Sequence, residues 1–374
     1  IEVSGILLHK LFREYYKKQQ DNIYLKIDKE YFYKHNQTSY QDEDFINLIL
    51  ANKVNFFQDR IVETGFKKAF KGDWGADAHT KRPGVVQSLN RLSYWGFLCQ
   101  LRKTNLHIGS DGAKIIEPRL LNSTQYGLLC PLHSPDGGNV GLHKHLSTST
   151  HITSGCSGLP FLSYLRNIEG GIKLLEECSL SYLTNATKIF INGAWIGCSH
   201  NPLKIVNIMK LHKRNNKIDI YTSIYFNFAR NEINICTDAG RPIRPLFYMM
   251  NQKLSYEREN VLDEYKNKTI NRNKIIYGFG KQDNLLDKKC KINISKQSIE
   301  SLIKNASVIE YIDTQEAEGM VLAHSNDQRE NYENKRITHC EIHPSLILGL
   351  MANQIIFPEN NPYPRDAFSC GQAK

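Results

Sequence analysis

The stretch "YGLLCPLHSPDGGNVGLHKHL", residues 126–146, concentrates groups that can do chemistry. Cys130, His133, His143 and His145 offer a thiolate and three imidazoles, the donor set of a zinc site, but a single Cys and intervening turns lack the paired spacing of structural zinc motifs. The other reading is a rigid backbone loop. Gly137, Gly138 and Gly141 would permit positive φ or close approach, Pro131 and Pro135 would stiffen it, and His143, Lys144 and His145 would present a basic edge to an anion. No GxxxxGK[ST] is present and no GxGxxG follows a strand, so the residues alone lead to an anion-facing rigid loop.

A second donor pair, His339 and His343 in "THCEIHPS", has the spacing that on a helix would align two imidazoles. Pro344 disfavours helical geometry at His343 and the motif is not HExxH, so packed, hydrogen-bonded histidines are expected. Arginines in turn-like settings form the third group: Arg119, Arg241, Arg244 and Arg365. With Asp238 close in sequence, Arg241 and Arg244 are expected to brace loops. Arg365, preceded by Pro364 and followed by Gly371, Gln372 and Lys374, suits either a phosphate contact or a brace. No Ser or Cys sits in a nucleophile elbow, and no pair of catalytic carboxylates is marked.

The elements that must position these groups follow from periodicity. Residues 1–60 read as helical, with Ile6, Leu7, Leu11 and Tyr15 as an apolar stripe. A helix is predicted to start at Pro83 and run through Val85, Leu89, Leu92, Trp95 and Leu98 to Leu101. "NLHIGSDG", 105–112, predicts a tight turn or hairpin tip, and the Gly- and Pro-dense segment after it a loop-rich fold to about residue 150. Residues 151–258 alternate strand-like runs with one helix at 201–216, Gly193 and Ala194 marking a hairpin turn. Residues 259–333 are polar, then give a helix and a strand within 297–313, and 324–335 reads as a linker. No internal repeat is visible.

The 374 residues exceed a single core and predict a multidomain, mixed α+β chain. Lys plus Arg number 48 against 38 Asp plus Glu, a formal +10 that attracts polyanions without specifying one. Nine Cys, scattered singly, fit reduced thiols inside a cell. No apolar run suits a bilayer and the first residues lack a secretory layout. The missing initiator Met and the ending at "CGQAK" suggest an internal fragment.

Taken in order, the segments resemble the second-largest (β-like) subunit of multisubunit DNA-directed RNA polymerases. The similarity runs through "GDWG" (72–75), "RPGVVQSLNRLSYWGFLCQLRKTN" (82–105), "IGSDG" (108–112), "EPRLLNSTQYGLLCPLHSPDGGNVGLHKHLS" (117–147), "INGAWIGCSHNP" (191–202), "TDAGRPIRPLF" (237–247), "VIEYID" (308–313), "THCEIHPSLILG" (338–349) and "FPENNPYPRDAFSCGQAK" (357–374). It fits the eukaryotic, archaeal and large-DNA-virus branch better than the bacterial one.

The resemblance implies the C-terminal part of a protrusion (1–60), a fork domain (61–150), external 1 (151–258), external 2 (259–333) and the start of a hybrid-binding domain (334–374). It places "CPLHSPDGGNVGL" at the family's "CPxETPEGxxxGL" element lining the active-centre cleft, with His133 and Asp136 at the two Glu positions and Gly137 and Lys144 in the same loop system. It sets Arg102, Lys103, Asn105, Ser110, Asp111 and Lys114 in a fork loop against downstream DNA. Arg119, Arg365, Phe368, Gln372 and Lys374 would lie near nucleotide and RNA, with Arg365 on the phosphates of the incoming nucleotide.

The reaction implied is DNA-templated RNA synthesis from ribonucleoside triphosphates. Two Mg²⁺ ions would be held mainly by the largest subunit, and the subunit's zinc site would lie beyond Lys374. The partners implied are that subunit, the other polymerase subunits, template DNA and nascent RNA, with no membrane. The setting would be intracellular: a nucleus for a cellular form, a virion or cytoplasmic factory for a viral one. The 374 residues alone would be inactive. Two other classes compete on the residues: a non-catalytic nucleic-acid-binding module, and a hydrolase that would need metal at "HCEIH".

Overall fold

A computed structural model describes residues 1–35, 45–106, 115–168, 171–250, 253–280, 298–325 and 337–372. They fall into two compact units, one of residues 2–92 with 106–114, the other of residue 1, 93–105 and 115–374. Both helices and sheets are present, the mixed α+β, multidomain class the sequence predicts.

The first unit is helical. α1 (Ser4–His35) packs on α4 (Ile61–Phe70), with α2 (Phe45–Ala51) and α3 (Lys53–Phe57) between them in sequence. The stripe on α1 supplies Leu11 and Tyr15 to a core completed by Ala69 and Trp74. Tyr15 Oη donates to the Gly75 carbonyl at 3.1 Å, which satisfies the one polar atom its buried ring carries.

In the second unit, a five-stranded sheet of order β4-β6-β5-β8-β7 carries the largest apolar core. Its strands are β4 (Lys173–Leu174), β5 (Thr187–Ile191), β6 (Ala194–Ser199), β7 (Ser223–Asn227) and β8 (Glu232–Cys236). Alternation along β5 and β8 turns Ile189, Ile191, Ile233 and Ile235 inward to meet Ile205 and Met209 of α8 (Pro202–Arg214). Each such side chain, fully buried, contributes about 1.5–3 kcal/mol. The β5–β6 turn is Asn192–Gly193, both at positive φ (48° and 83°), one residue earlier than the predicted Gly193–Ala194. The two-residue turn needs left-handed backbone at both positions, which Asn and Gly adopt most readily.

A second sheet is organised by one long strand, β9 (Ala239–Met250). It pairs with β3 (His151–Ser154), β10 (Lys253–Leu254), β11 (Ile309–Asp313) and β13 (His339–Cys340), and β12 (Leu322–Ala323) adds alongside β13. This sheet thus draws strands from three of the five predicted segments: 151–258, 259–333 and 334–374.

The helix predicted from Pro83 to Leu101 is shorter. Residues 83–93 are irregular, Gly84 takes φ 80°, and α5 (Tyr94–Leu101) begins only after Ser93, whose hydroxyl caps the Gly96 N–H at 3.0 Å. An N-cap Ser with extended backbone satisfies a donor that a longer helix would have satisfied internally, so the capping residue wins over apolar periodicity.

Candidate functional site

The chain leaves α5 through Arg102 into β1 (Lys103–Asn105), which pairs antiparallel with β2 (His143–His145): Lys103 faces His145, Thr104 faces Lys144 and Asn105 faces His143. The predicted turn after Asn105 therefore separates strands that pair across a long connection. Its tip, with Ser110, Asp111 and Lys114, lies outside the described residues.

Arg102 holds the base of this ribbon. Its Nη2 donates to the carbonyls of Ser147, Thr148 and Thr150 at 2.5, 3.3 and 3.1 Å, so the guanidinium is spent on backbone rather than presented to solvent. Lys103 is half-buried and burial lowers its pKa, while Asn105 is exposed.

The 126–146 stretch closes on this ribbon. Leu129 bridges Leu146, and the Cys130 N–H donates to the His145 carbonyl at 2.8 Å. Among the described residues its histidines do not gather with a third metal-ligating side chain. The rings of His133 and His145 lie parallel, centroids 3.4 Å apart and 3° between planes, both nearly inaccessible. Burial drives the pKa of His133 down to about 4 and that of His145 to about 3, and nearby Lys103 adds to both shifts, so the stack is neutral at pH 7.

Beyond the stack the chain turns outward. Asp136, Gly137 and Gly138 are exposed, and the Ser134 hydroxyl accepts from the Gly141 N–H at 2.8 Å to close the turn. Gly141 sits at φ 73° where a Cβ would lie 2.3 Å from the Arg119 carbonyl oxygen, so only glycine fits. Arg119 braces the same turn: its Nε donates to Ile115 O at 3.0 Å, and its Nη1 to Gly138 O and Val140 O at 2.7 and 3.0 Å. Lys144 Nζ reaches the Pro118 carbonyl at 3.3 Å.

The other wall is the C-terminal helix Tyr363–Gly371. Its inner face, Asp366, Ala367 and Cys370, is buried, and Cys370 shares a small core with Cys130 and Ala352. The loop and the helix are thereby locked together. The outer face carries Arg365, Phe368 and, at the C-cap, Gln372, all exposed. Arg365 makes no ion pair and no side-chain hydrogen bond among the described residues, in contrast to Arg102, Arg119, Arg241 and Arg244. Lys374 lies outside the described residues.

Arg241 and Arg244 brace, as their setting predicts. Arg241 pairs with Asp238 at 2.9 Å and Asp313 at 3.2 Å, and buried Arg244 pairs with Glu341 at 2.6 Å. His339 lies buried in β13, 3.7 Å from Glu310, and His343 accepts from the Ser345 N–H at 3.2 Å. Among the described residues, no group of three or more metal-ligating side chains is placed to hold an ion.

Sequence reasoning missed a buried charge network. Lys213 Nζ lies 3.1 Å from Glu316 and 3.9 Å from Glu310, and Arg214 Nη2 lies 2.6 Å from Glu310. Burial pushes Glu310 up, but Arg214, the nearby His339 ring and Lys213 outweigh it and hold its carboxyl well below the usual range. Nothing in "HKR" or "VIEYID" signals that these charges are buried together; it takes the fold to join them.

Residues 87–152 match the family model described as RNA polymerase Rpb2, domain 3, and residues 189–250 match that for RNA polymerase Rpb2, domain 4. The matched segments thus mark the chain as carrying polymerase domains of the Rpb2 type. Over its whole length the chain is 33% identical to DNA-directed RNA polymerase II subunit RPB2 of Encephalitozoon cuniculi and 31% identical to that of Schizosaccharomyces pombe. It is 30% identical to DNA-directed RNA polymerase subunit 2 of Acanthamoeba polyphaga mimivirus. The chain belongs to this family, the second-largest subunits of multisubunit RNA polymerases, and spans about 30% of the length of these relatives.

Proposed function

We propose that the chain is part of a DNA-directed RNA polymerase (nucleotidyltransferase, EC 2.7.7.6) and that its braced loop and C-terminal helix face the incoming ribonucleotide. The observation that carries this reading is the contrast among arginines. Arg102, Arg119, Arg241 and Arg244 are committed to carbonyls and carboxylates, whereas Arg365 stands exposed, with no side-chain partner among the described residues, on a helix whose other face is locked in a core. A guanidinium held on a rigid helix and left unpaired suits bidentate binding of a triphosphate. Phe368, one turn on, offers an apolar surface beside it, and Gln372, a further turn on, a neutral amide. Asp136 and Gly137, at the tip of the braced turn, would line the same cleft.

In this reading Lys103, Asn105 and Lys144 lie along the DNA-proximal ribbon, with Arg102 and Arg119 as the braces that hold its shape. Phosphate contacts of this kind position nucleic acid without reading its sequence. The domain division proposed is protrusion 1–60, fork 61–150, external 1 151–258, external 2 259–333 and hybrid-binding 334–374. Magnesium for the chemistry would be held by the largest subunit, so the 374 residues alone would synthesise no RNA. Template DNA, nascent RNA and the other polymerase subunits are the proposed partners, within a nucleus or a viral compartment.

Photocrosslinking from a reactive nucleotide at the RNA 3′ end of the assembled polymerase tests the placement. Crosslinks within 357–372 support it. Crosslinks confined to other segments contradict it.

A further inference from the structure

One edge of the five-stranded sheet gathers sulfur and cationic groups for which the proposed function has no use. The register fixes their face. Cys198 on β6 lies directly opposite Lys173 of β4 on one side and opposite Lys188 of β5 on the other, so the three side chains share one face of the sheet. His200, two residues beyond Cys198, continues that face, and Tyr182 of α7 (Leu180–Asn185) packs on it: the Tyr182 and His200 ring centroids are 4.2 Å apart, and Lys173 Nζ lies 4.5 Å from the Tyr182 ring. Beneath this cover, Cys178 Sγ approaches the carbonyl oxygens of Leu174 and Lys173 at 3.2 and 3.9 Å, the backbone paired with Gly197 and Cys198. The strands can approach this closely because residue 197 is glycine; a Cβ there would lie 2.1 Å from the Lys173 oxygen.

We infer that Cys178 and Cys198 form a redox-responsive pair that closes to a disulfide when a hydroperoxide oxidises the protein. The two thiols differ in the way such a pair requires: Cys178 is half-buried and open to a small oxidant, whereas Cys198 is wholly buried. The Cys178 sulfur attacks the peroxide; the O–O bond breaks, one oxygen stays on sulfur as a sulfenic acid and the other leaves as water or alcohol. The Cys198 sulfur then attacks the sulfenic sulfur, the S–S bond forms, the S–O bond breaks, and hydroxide leaves to take up the Cys198 proton as water. Two thiols give up two electrons, which reduce one peroxide bond. Cys178 and Cys198 act directly on each other: burial and the adjacent Cys178 thiol hold the Cys198 thiol up, whereas the Trp195 indole and Lys188 favour its thiolate for the second step. A small thiol reopens the pair by exchange.

Peptide mapping of the full-length protein after equimolar hydrogen peroxide tests the pair. A Cys178–Cys198 linked peptide should appear before any other cysteine of the chain changes and disappear with dithiothreitol. In Cys178→Ser, Cys198 should stay reduced at the same dose. In Cys198→Ser, Cys178 should stop at the sulfenic acid and be captured by a cyclic diketone probe. Cys178 carried to the sulfinic acid while wild-type Cys198 stays free, or Cys178 linked to any other cysteine, would overturn the inference.

Discussion

The imidazole of His133 lies flat on that of His145, ring centroids 3.4 Å apart, and joins the outward turn of the 126–146 loop to the strand that carries its basic edge. Both rings are buried, with Lys103 among the charges acting on them and His143 acting on His145 as well. Protonating either ring places a cation in a dry site beside other cationic or titratable groups.

That relationship sets a pH dependence. The folded pKa of His133 is lowered from the ordinary 6.5 to about 4, so between these values the unfolded chain binds the proton that the folded chain refuses. Stability therefore rises with pH across this window, is complete above about 6.5, and is lost as pH falls toward 4. The contribution is on the order of 3 kcal/mol from His133. Denaturant unfolding between pH 7 and 4 should show this slope, and His133→Phe, which keeps a ring for His145 to stack on, should reduce it to the share that His145 contributes.

The buried Lys213 makes a second prediction. Glu316, fully enclosed, keeps Lys213 at 3.1 Å and accepts from the Ile224 N–H at 2.8 Å. Replacing Lys213 with Met leaves a buried carboxylate without its cation, which costs about 3–5 kcal/mol. The double change Lys213→Met with Glu316→Gln should recover part of that loss. Equal stability of the single and double variants would argue against coupling.

Arg102 should not tolerate Lys. One ammonium cannot take the place of a guanidinium whose Nη2 alone meets three carbonyls, and the unmet acceptors cost about 1–3 kcal/mol each where they are buried. Arg102→Lys is expected to lower the unfolding midpoint, whereas Lys144→Ala, which removes a single 3.3 Å bond, should change it by less than about 0.5 kcal/mol.

Much of the site was legible from residue types. Gly141 and Pro135 announced a stiff turn, Asp238 announced the brace on Arg241, and Pro344 argued correctly against a helical pair of histidines. Long-range pairing was not legible. The apolar repeat from Val85 to Leu101 predicted one helix because nothing local said that Ser93 would cap a shorter one. The stacking of His133 was not legible because its partner, His145, lies twelve residues on and sits on β2, which pairs with a strand forty residues earlier in sequence. Lys213 and Glu316 are separated by 103 residues, and no periodicity brings them together.

The central claim, that Arg365 meets the nucleotide, is tested most directly by nucleotide incorporation in the assembled polymerase carrying Arg365→Ala, followed across nucleotide concentration. Because Arg365 is exposed and braces nothing among the described residues, the substitution should leave stability within about 0.5 kcal/mol. It should raise the nucleotide concentration needed for half-maximal incorporation by about tenfold or more, as loss of a charge-assisted hydrogen bond of about 1.5–3 kcal/mol requires, with Arg365→Lys falling between. Unchanged nucleotide dependence with normal assembly would contradict the account.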